Sequence, residues 1–113
     1  MTDNHSHHIQ LGADIIEIDR IKNLLAKRKN FLRRVFTENE IAYYIKRGSK
    51  AETLAGIFAC KEAMVKANGG RIGQYEVMHY ENGKPYVNTD GSEVCVTITH
   101  NKTTAAAFVC VWR

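Results

Sequence analysis

The chain has 113 residues, of which 44% are hydrophobic and 25% are charged, and its formal net charge is +4 at pH 7. This length suits one compact domain, and this composition excludes a disordered chain. The longest apolar runs are far too short for a membrane span, and the excess positive charge indicates acidic partners such as phosphates, nucleic acid or an acidic protein.

The first eight residues read MTDNHSHH and contain no apolar core of a signal peptide. We therefore expect a cytoplasmic protein with a disordered tail over residues 1–8 and one domain over residues 9–113. Cys60, Cys95 and Cys110 are dispersed without a CxxC pair, which favours reduced thiols and argues against a zinc site.

The domain opens with IQLGADIIEI at residues 9–18, a run rich in β-branched residues that predicts a strand. Over residues 19–36 the apolar positions follow a helical spacing, with Ile21, Leu25 and Leu32 on one face. We expect helical structure throughout this second stretch.

Two capping-box patterns follow, TENE at residues 37–40 and SKAE at residues 49–52. In each pattern the hydroxyl can accept from the third following amide while the glutamate reaches back, so helices are predicted over about 38–46 and about 50–67. Gly48 can end the first of these helices in a left-handed cap, and an Asn-Gly-Gly sequence ends the second.

The last third of the chain predicts strands. Residues 75–80 and 84–87 form a predicted hairpin around an Asn-Gly turn, and residues 89–92 form another turn. Residues 94–99 and 103–111 predict a second antiparallel hairpin. The sum is a single α+β domain, in which an antiparallel sheet packs with one long helix and shorter helices.

Asp14 lies inside a mostly apolar run, where a carboxylate is costly unless it is paired, hydrogen-bonded or bound to a metal ion. It either caps the following helix or lies on an exposed edge, or it ligates a hard divalent cation. Mg²⁺ typically takes one or two carboxylates together with waters and substrate phosphates. Glu62 is the best candidate for a second carboxylate.

Glu62 and Lys66 lie four residues apart in the predicted long helix, on a face whose other members are small. Such a pair is common on solvated helices. However, small neighbours would let a ligand or a backbone approach closely. Lys61 interrupts the apolar stripe of the same helix, where its stem can lie along apolar surface while its head reaches water or a phosphate.

Arg20, Lys27 and Arg34 are spaced by seven residues and predict a basic helix face, with Leu24 and Phe31 beside them. This face is either merely solvated or a docking surface for an acidic amphipathic helix of a partner protein. Nucleic acid is a third alternative, although the sequence shows neither a stacking-aromatic motif nor a helix-turn-helix spacing.

Several motifs resemble those of one known family. The main pair is GADIIEIDRI at residues 12–21 and FACKEAMVKA at residues 58–67, supported by RVFTENE at residues 34–40, NGKP at residues 82–85 and ITH at residues 98–100. At this separation they resemble the holo-acyl-carrier-protein synthases, which are small 4′-phosphopantetheinyl transferases. The resemblance covers nearly the whole chain from the first predicted strand onwards.

The resemblance implies a 4′-phosphopantetheinyl transferase-like fold and a homotrimer with active sites at subunit interfaces. It implies an enzyme of fatty acid biosynthesis that needs Mg²⁺ and moves the 4′-phosphopantetheine moiety of coenzyme A onto a serine of apo acyl carrier protein. Adenosine 3′,5′-bisphosphate would be released. Acyl carrier protein and coenzyme A would be the partners, without nucleic acid and without a membrane span.

The resemblance also assigns roles to residues. Asp14 and Glu62 would hold the metal ion, and Lys66 would stand near the transferred phosphate, which makes these three the catalytic set. Coenzyme A would be held by five residues, some from a neighbouring subunit: Lys61, Gly69, Asn82, Pro85 and His100. Acyl carrier protein would dock on six residues: Arg20, Leu24, Lys27, Arg28, Phe31 and Phe58.

This reaction agrees with the chemistry of the residues, because phosphoryl transfer requires positioning and charge neutralisation more than covalent help. Glu62, or a metal-bound water that it holds, is the candidate base for the serine proton. Two rival hypotheses remain. One is a nucleic-acid-binding module that uses the basic face, and the other is a catalytically silent scaffold of the same fold that only binds carrier protein.

Overall fold

The computed structural model describes residues 8–89 and 91–113. The predicted disordered tail, apart from His8, lies outside the described residues, and so does Asp90 of the predicted turn at residues 89–92. The described part of the chain forms a three-stranded sheet, a separate two-stranded hairpin and four α-helices.

The element order agrees with the α+β prediction. After the last helix a short 3₁₀ turn, Ile72–Gln74, leads into the hairpin. The bounds are β1 Ile9–Glu17, α1 Ile18–Lys27, α2 Phe31–Val35, α3 Glu38–Lys46, α4 Ala51–Asn68, β2 Glu76–His79, β3 Pro85–Asn88, β4 Glu93–His100 and β5 Thr104–Trp112.

The main sheet is antiparallel and has the order β1-β5-β4, so the first and last strands of the domain are neighbours. In this register Asp14 lies opposite Ala107 and His100 lies opposite Ala105. Strands β2 and β3 pair only with each other, and Gly83 has a φ of +89° in the turn between them. Both predicted hairpins are therefore confirmed.

Helix α4 is the centre of the core, and the sheet lies directly on its face of small residues. A Cβ atom on Gly12 of β1 would overlap the carbonyl oxygen of Ala63, and one on Gly56 would lie 2.8 Å from Ile98 of β4. The small residues thus allow a strand backbone, rather than a ligand, to approach the helix. This contact brings the inner face of β1, which includes Asp14, against α4.

The prediction of continuous helical structure over residues 19–36 is wrong at its middle. Helix α1 ends at Lys27, and Arg28 has an extended backbone with φ −111° and ψ 102°. Helix α2 begins only at Phe31. Because Arg34 belongs to this second helix, it does not continue the face that carries Arg20 and Lys27.

One of the two capping boxes forms and the other does not. The Thr37 hydroxyl accepts from the Glu40 amide at 3.2 Å, and the Glu40 carboxylate accepts from the Thr37 amide at 2.9 Å. Ser49, by contrast, has a φ of +55°, and its amide donates to the Tyr44 carbonyl. Ser49 therefore completes the C-terminal end of α3 after Gly48, and α4 begins after Lys50 without a side-chain cap.

The outer face of the main sheet is apolar and exposed. Leu11 is 73% exposed, Ile15 70% and Phe108 52%, and Ile9 at the strand end is exposed as well. The register places Phe108 opposite Ala13, so these residues lie on one side of the sheet, away from α4. We call this surface of Ile9, Leu11, Ile15 and Phe108 the outer sheet face.

Candidate active site

Asp14 and Lys66 meet at the edge of the contact between β1 and α4. Asp14 is on the strand face that packs against the helix, and its side chain is only 17% exposed. The Lys66 ammonium donates to Asp14 Oδ1 at 3.0 Å and to the Ala13 carbonyl at 3.1 Å. The lysine side chain is 58% exposed, so the pair is accessible from solvent.

Glu62 is half-buried and lies one helical turn before Lys66 on the same helix face. The structure thus brings Asp14 and Lys66 together and places Glu62 one turn away from Lys66 along α4. We call these three residues the Asp14 cluster. No set of three or more His, Cys, Asp or Glu side chains forms a metal site among residues 8–89 and 91–113. Two carboxylates on an accessible edge are nevertheless a donor set that suits Mg²⁺ when substrate phosphates supply further oxygens.

Lys61 corrects one of the sequence-based assignments. Its side chain is fully buried, and its ammonium donates to Glu40 Oε1 at 2.7 Å above the ring of Phe36. The stem occupies the apolar stripe of α4 as expected, but the head ends at a buried carboxylate instead of at the surface. Lys61 is therefore not available to a phosphate of coenzyme A in this chain.

A second part of the candidate site is a cavity of about 170 Å³ between the hairpin and the first half of α4. We call it the hairpin cavity. Its lining includes Pro85 and His100, two of the predicted coenzyme A residues, together with Arg47, Tyr43 and His79. Asn82 holds the adjoining turn, because its Oδ1 accepts from the Lys84 amide at 3.0 Å.

The aromatic wall of the hairpin cavity is a stacked pair. The rings of Tyr43 and His79 lie 3.6 Å apart at an angle of 2°. Burial and, to a smaller extent, the nearby charge of Arg47 lower the pKa of His79. His79 Nδ1 is buried and has no hydrogen-bond partner among the described residues. Both effects favour the neutral form of the His79 imidazole.

Gly69 lies at the C-terminal end of α4, three residues beyond Lys66. Its φ is +77°, its amide donates to the Val65 carbonyl at 2.8 Å, and its carbonyl accepts from the Tyr75 hydroxyl. The structure therefore places Gly69 at the end of α4 that carries Lys66, and Gly69 does not line the hairpin cavity. No member of the Asp14 cluster is among the described residues that line the hairpin cavity.

Two of the six predicted docking residues are part of the core. The rings of Phe31 and Phe58 pack together at 6.4 Å between centroids, next to Phe36, and both are buried. Phe31 also lines a surface cavity between α1 and α2, whereas Phe58 can support a docking surface only from beneath. Arg20, Lys27 and Arg28 are exposed, and Leu24 is half-buried.

Three basic residues line a surface cavity of about 400 Å³ between α1 and α2. Leu24 and Val35 supply apolar lining, and Arg28, Lys29 and Arg34 supply positive charge. The break between the two helices creates this cavity, so it was not visible in a pattern that treated residues 19–36 as helical throughout.

Sequence reasoning missed Tyr43 and Arg47 of the hairpin cavity and Glu40 beside Lys61. Glu40 could have been found, because a lysine inside an apolar helix stripe requires a buried acceptor or an outlet to solvent. Tyr43 and Arg47 gave no such signal, since only the packing of α3 near the hairpin gives them a cavity to line.

Comparison with known proteins identifies the family. The model of the 4′-phosphopantetheinyl transferase superfamily matches residues 10–111. A holo-(acyl-carrier-protein) synthase of Listeria welshimeri is 42% identical over 112 residues, which cover 89% of this chain and 95% of the relative. One from Clostridium perfringens is 38% identical over 120 residues, which cover 88% of this chain and 90% of the relative.

Solved structures agree. A holo-(acyl-carrier-protein) synthase of Bacillus anthracis in complex with CoA (3′,5′-ADP) has a TM-score of 0.81 and 35% identity, covering 95% of this chain and 98% of that one. The Helicobacter pylori enzyme in complex with coenzyme A has a TM-score of 0.78 and 26% identity, covering 89% and 98%. Among the described residues, none of the helices has the length and apolarity to span a membrane.

Proposed function

This chain belongs to the 4′-phosphopantetheinyl transferase superfamily, among the holo-acyl-carrier-protein synthases, and from that premise we propose the reaction that it catalyses. It transfers the 4′-phosphopantetheine moiety of coenzyme A to a serine of apo acyl carrier protein, with Mg²⁺, in fatty acid biosynthesis in the cytoplasm. The observation that supports this most directly is the contact of Lys66 with Asp14 one turn from Glu62.

The bond changes define what the site must do. The serine oxygen forms a bond to the phosphorus that carries the pantetheine arm, and the bond from that phosphorus to the adenosine 3′,5′-bisphosphate oxygen breaks. The serine loses a proton, and the leaving phosphate gains negative charge. The site therefore needs a proton acceptor on one side and fixed positive charge on the other.

The Asp14 cluster supplies both. A bound Mg²⁺, held by Asp14 and Glu62, would neutralise charge on the pyrophosphate oxygens. The Lys66 ammonium donates to Asp14 Oδ1 at 3.0 Å. When Asp14 binds the metal ion instead, this exposed ammonium can turn to the leaving phosphate. Glu62, directly or through a water, accepts the serine proton. No covalent enzyme intermediate is required.

Coenzyme A would extend from this cluster to the hairpin cavity. Pro85 and His100 line that cavity and Asn82 shapes its turn, while Gly69 lies at the opposite end of α4 beside the cluster. Arg47 adds a positive charge that suits the 3′-phosphate or pyrophosphate. Lys61 is left out of this set because its ammonium is buried against Glu40.

The carrier protein would dock on α1 and on the basic cavity that follows it. Arg20, Lys27 and Arg28 are exposed there, and Leu24 offers apolar contact at the cavity. This proposal takes acyl carrier protein to be acidic. Attraction between opposite charges would then steer the carrier protein towards this basic surface. Phe31 lines the basic cavity, and Phe58 acts from the core beneath.

We propose a homotrimer built through the outer sheet face. An exposed apolar patch of this kind on a sheet is typical of a subunit interface. The separation of the Asp14 cluster from the hairpin cavity within one chain supports the same assembly, since a neighbouring subunit would bring one part of the site to the other.

A mass measurement tests the reaction. The protein is incubated with coenzyme A, Mg²⁺ and apo acyl carrier protein, and the carrier should gain the mass of one phosphopantetheine arm. A reaction without coenzyme A is the control. If several apo carrier proteins all keep their mass, the proposed reaction is wrong, and the catalytically silent scaffold becomes the better hypothesis.

A further inference from the structure

Glu40 has more hydrogen-bond partners than its capping role requires. Its side chain is fully buried, and three donors reach its two oxygens. Oε1 accepts from the Thr37 amide at 2.9 Å and from the Lys61 ammonium at 2.7 Å, while Oε2 accepts from the Val77 amide at 2.7 Å. A capping box needs only the first of these contacts.

The three donors belong to three different elements. Thr37 begins α3, Lys61 lies in the middle of α4, and Val77 is the second residue of β2. The carboxylate of Glu40 is thus a junction between two helices and the hairpin. Breaking one side of such a buried network leaves unpaired polar groups, so its geometry is strongly constrained.

The hairpin depends on such side-chain contacts for its position. Strands β2 and β3 form their own two-stranded sheet and share no backbone ladder with β1, β4 and β5 among the described pairings. Apolar packing of Val77 and Val87 holds the hairpin to the core, and this attraction is non-directional. The bond from Val77 to Glu40 fixes the hairpin at one point.

The other end of the junction fixes α4. Lys61 belongs to the helix that carries Glu62 and directly precedes it, so the bond from Lys61 to Glu40 ties the junction to that helix. Glu40 therefore relates the turn that carries Asn82 and Pro85 to the helix that carries the Asp14 cluster.

We propose that Glu40 is a positioning residue of the transfer reaction, which sets the place of the β2–β3 hairpin relative to α4. It acts through Val77 and Lys61 and touches no substrate. This inference rests on the proposed function, because the hairpin is given a role there in holding coenzyme A. Loss of the junction should weaken coenzyme A binding and leave carrier-protein docking on α1 intact.

Two double variants separate this role from the cost of burying charge. Glu40→Gln/Lys61→Met and Glu40→Met/Lys61→Met both remove the two buried charges. Only the glutamine keeps an oxygen that can accept from the Val77 amide. The comparison therefore tests the acceptor oxygen of residue 40, while charge burial is the same in both.

The two double variants should differ in the KM for coenzyme A and not in the KM for acyl carrier protein. The methionine double variant should raise the KM for coenzyme A about tenfold relative to the glutamine double variant, as loss of one hydrogen bond of a buried group predicts. The KM for acyl carrier protein and kcat should agree within about twofold between the two. As a matched control, Asn39→Ala removes a more exposed contact of α3 with β2, to Glu76, and should change neither KM.

Hydrogen exchange gives a readout that does not require activity. In the methionine double variant, amides of residues 75–88 should exchange about tenfold faster than in the glutamine double variant, while amides of β4 and β5 stay unchanged. If the wild-type protein modifies no carrier protein, the proposed function fails, and this exchange comparison alone decides whether Glu40 anchors the hairpin.

Equal coenzyme A KM values and equal hairpin exchange in the two double variants would overturn the proposal. A proportional fall in kcat/KM for both substrates would also overturn it, because that pattern reports a general loss of folded protein. Should the methionine double variant not fold, Glu40→Leu/Lys61→Met, which likewise has no acceptor oxygen, takes its place. Exchange at residues 75–88 that is equal in that variant and in the glutamine double variant would contradict the anchoring role.

Discussion

Lys61 and Lys66 lie five residues apart on α4, yet their ammonium groups have opposite surroundings. Lys61 is fully buried against Glu40, whereas the side chain of Lys66 is 58% exposed and reaches Asp14. A buried ion pair is weak evidence for stability, because the cost of desolvation offsets much of its attraction. The buried Lys61 therefore tells us how α4 is placed against α3, whereas the exposed Lys66 is free to contact a ligand.

The carboxylates of the Asp14 cluster can be tested one at a time. Asp14→Ala and Glu62→Ala should each abolish turnover, since each would remove a ligand of the proposed Mg²⁺. Phosphopantetheine transfer is measured against Mg²⁺ concentration, with Glu38→Ala, an exposed carboxylate of α3, as the control. Metal-dependent turnover that persists in either cluster variant would refute the ligand assignment.

His79 should make the stability of the fold depend on pH. Burial lowers its pKa in the folded molecule, so the unfolded chain binds more protons below its ordinary pKa near 6.5. The contribution of His79 to the free energy of unfolding is therefore fully present above about pH 6.5 and decreases as the pH drops below that value.

The comparison for this pH effect is His79→Phe, which keeps a ring against Tyr43 but cannot titrate. Thermal unfolding between pH 7.5 and pH 5.5 should lower the melting temperature of the wild type more than that of the variant. His100→Gln, which changes an exposed histidine, should keep the wild-type dependence. Identical pH profiles for wild type and His79→Phe would show that His79 does not carry the effect.

At the scale of elements, the contact between β1 and α4 decides where the Asp14 carboxylate lies. Gly12→Ala should destabilise the protein by about 1–3 kcal/mol, because the new Cβ would overlap the Ala63 carbonyl oxygen of the helix backbone. Urea unfolding measures the change. Gly73→Ala is the matched control, since its Cβ meets no atom within 4 Å. An unchanged midpoint for Gly12→Ala would mean that the two elements can separate at little cost.

Helix α1 carries the prediction about carrier docking. Arg20→Glu should raise the KM for acyl carrier protein severalfold and leave the KM for coenzyme A unchanged, because it reverses a charge on the docking surface alone. Lys46→Glu, at an exposed position of α3, controls for the change in net charge. If both substrates were affected equally, the docking surface would have to lie elsewhere.

At the scale of the whole molecule, the outer sheet face predicts self-association. Phe108→Lys should shift the mass in sedimentation velocity from three chains towards one, because a charge at the centre of an apolar interface is costly to bury. Ile45→Lys is the control, since Ile45 is 60% exposed but lies on α3, away from the sheet. A wild-type protein that sediments as a single chain at assay concentration would contradict the homotrimer.

Local chemistry explains what could be predicted from the sequence. The Thr37 cap, the glycine that ends α4 and the Asn-Gly turn are short-range hydrogen-bond and dihedral requirements, and the structure has all three. The Ser49 cap failed because the same residue was also needed to finish α3. The break at residues 28–30 was not predicted, because the apolar spacing continues across it. The packing of Phe31 against Phe36 and Phe58, which favours the bend, is visible only in the tertiary structure.

The sequence by itself determined the α+β elements, both hairpins and the motifs that place Asp14, Glu62 and Lys66 in one family. The tertiary structure decided which surroundings each charge has. A helical pattern shows which residues share a face, but it does not show what packs against that face. The sheet packs on the small-residue face of α4 at Gly12, and the Lys61 ammonium donates to Glu40. The helical pattern could not show either contact, because each joins residues far apart in the chain.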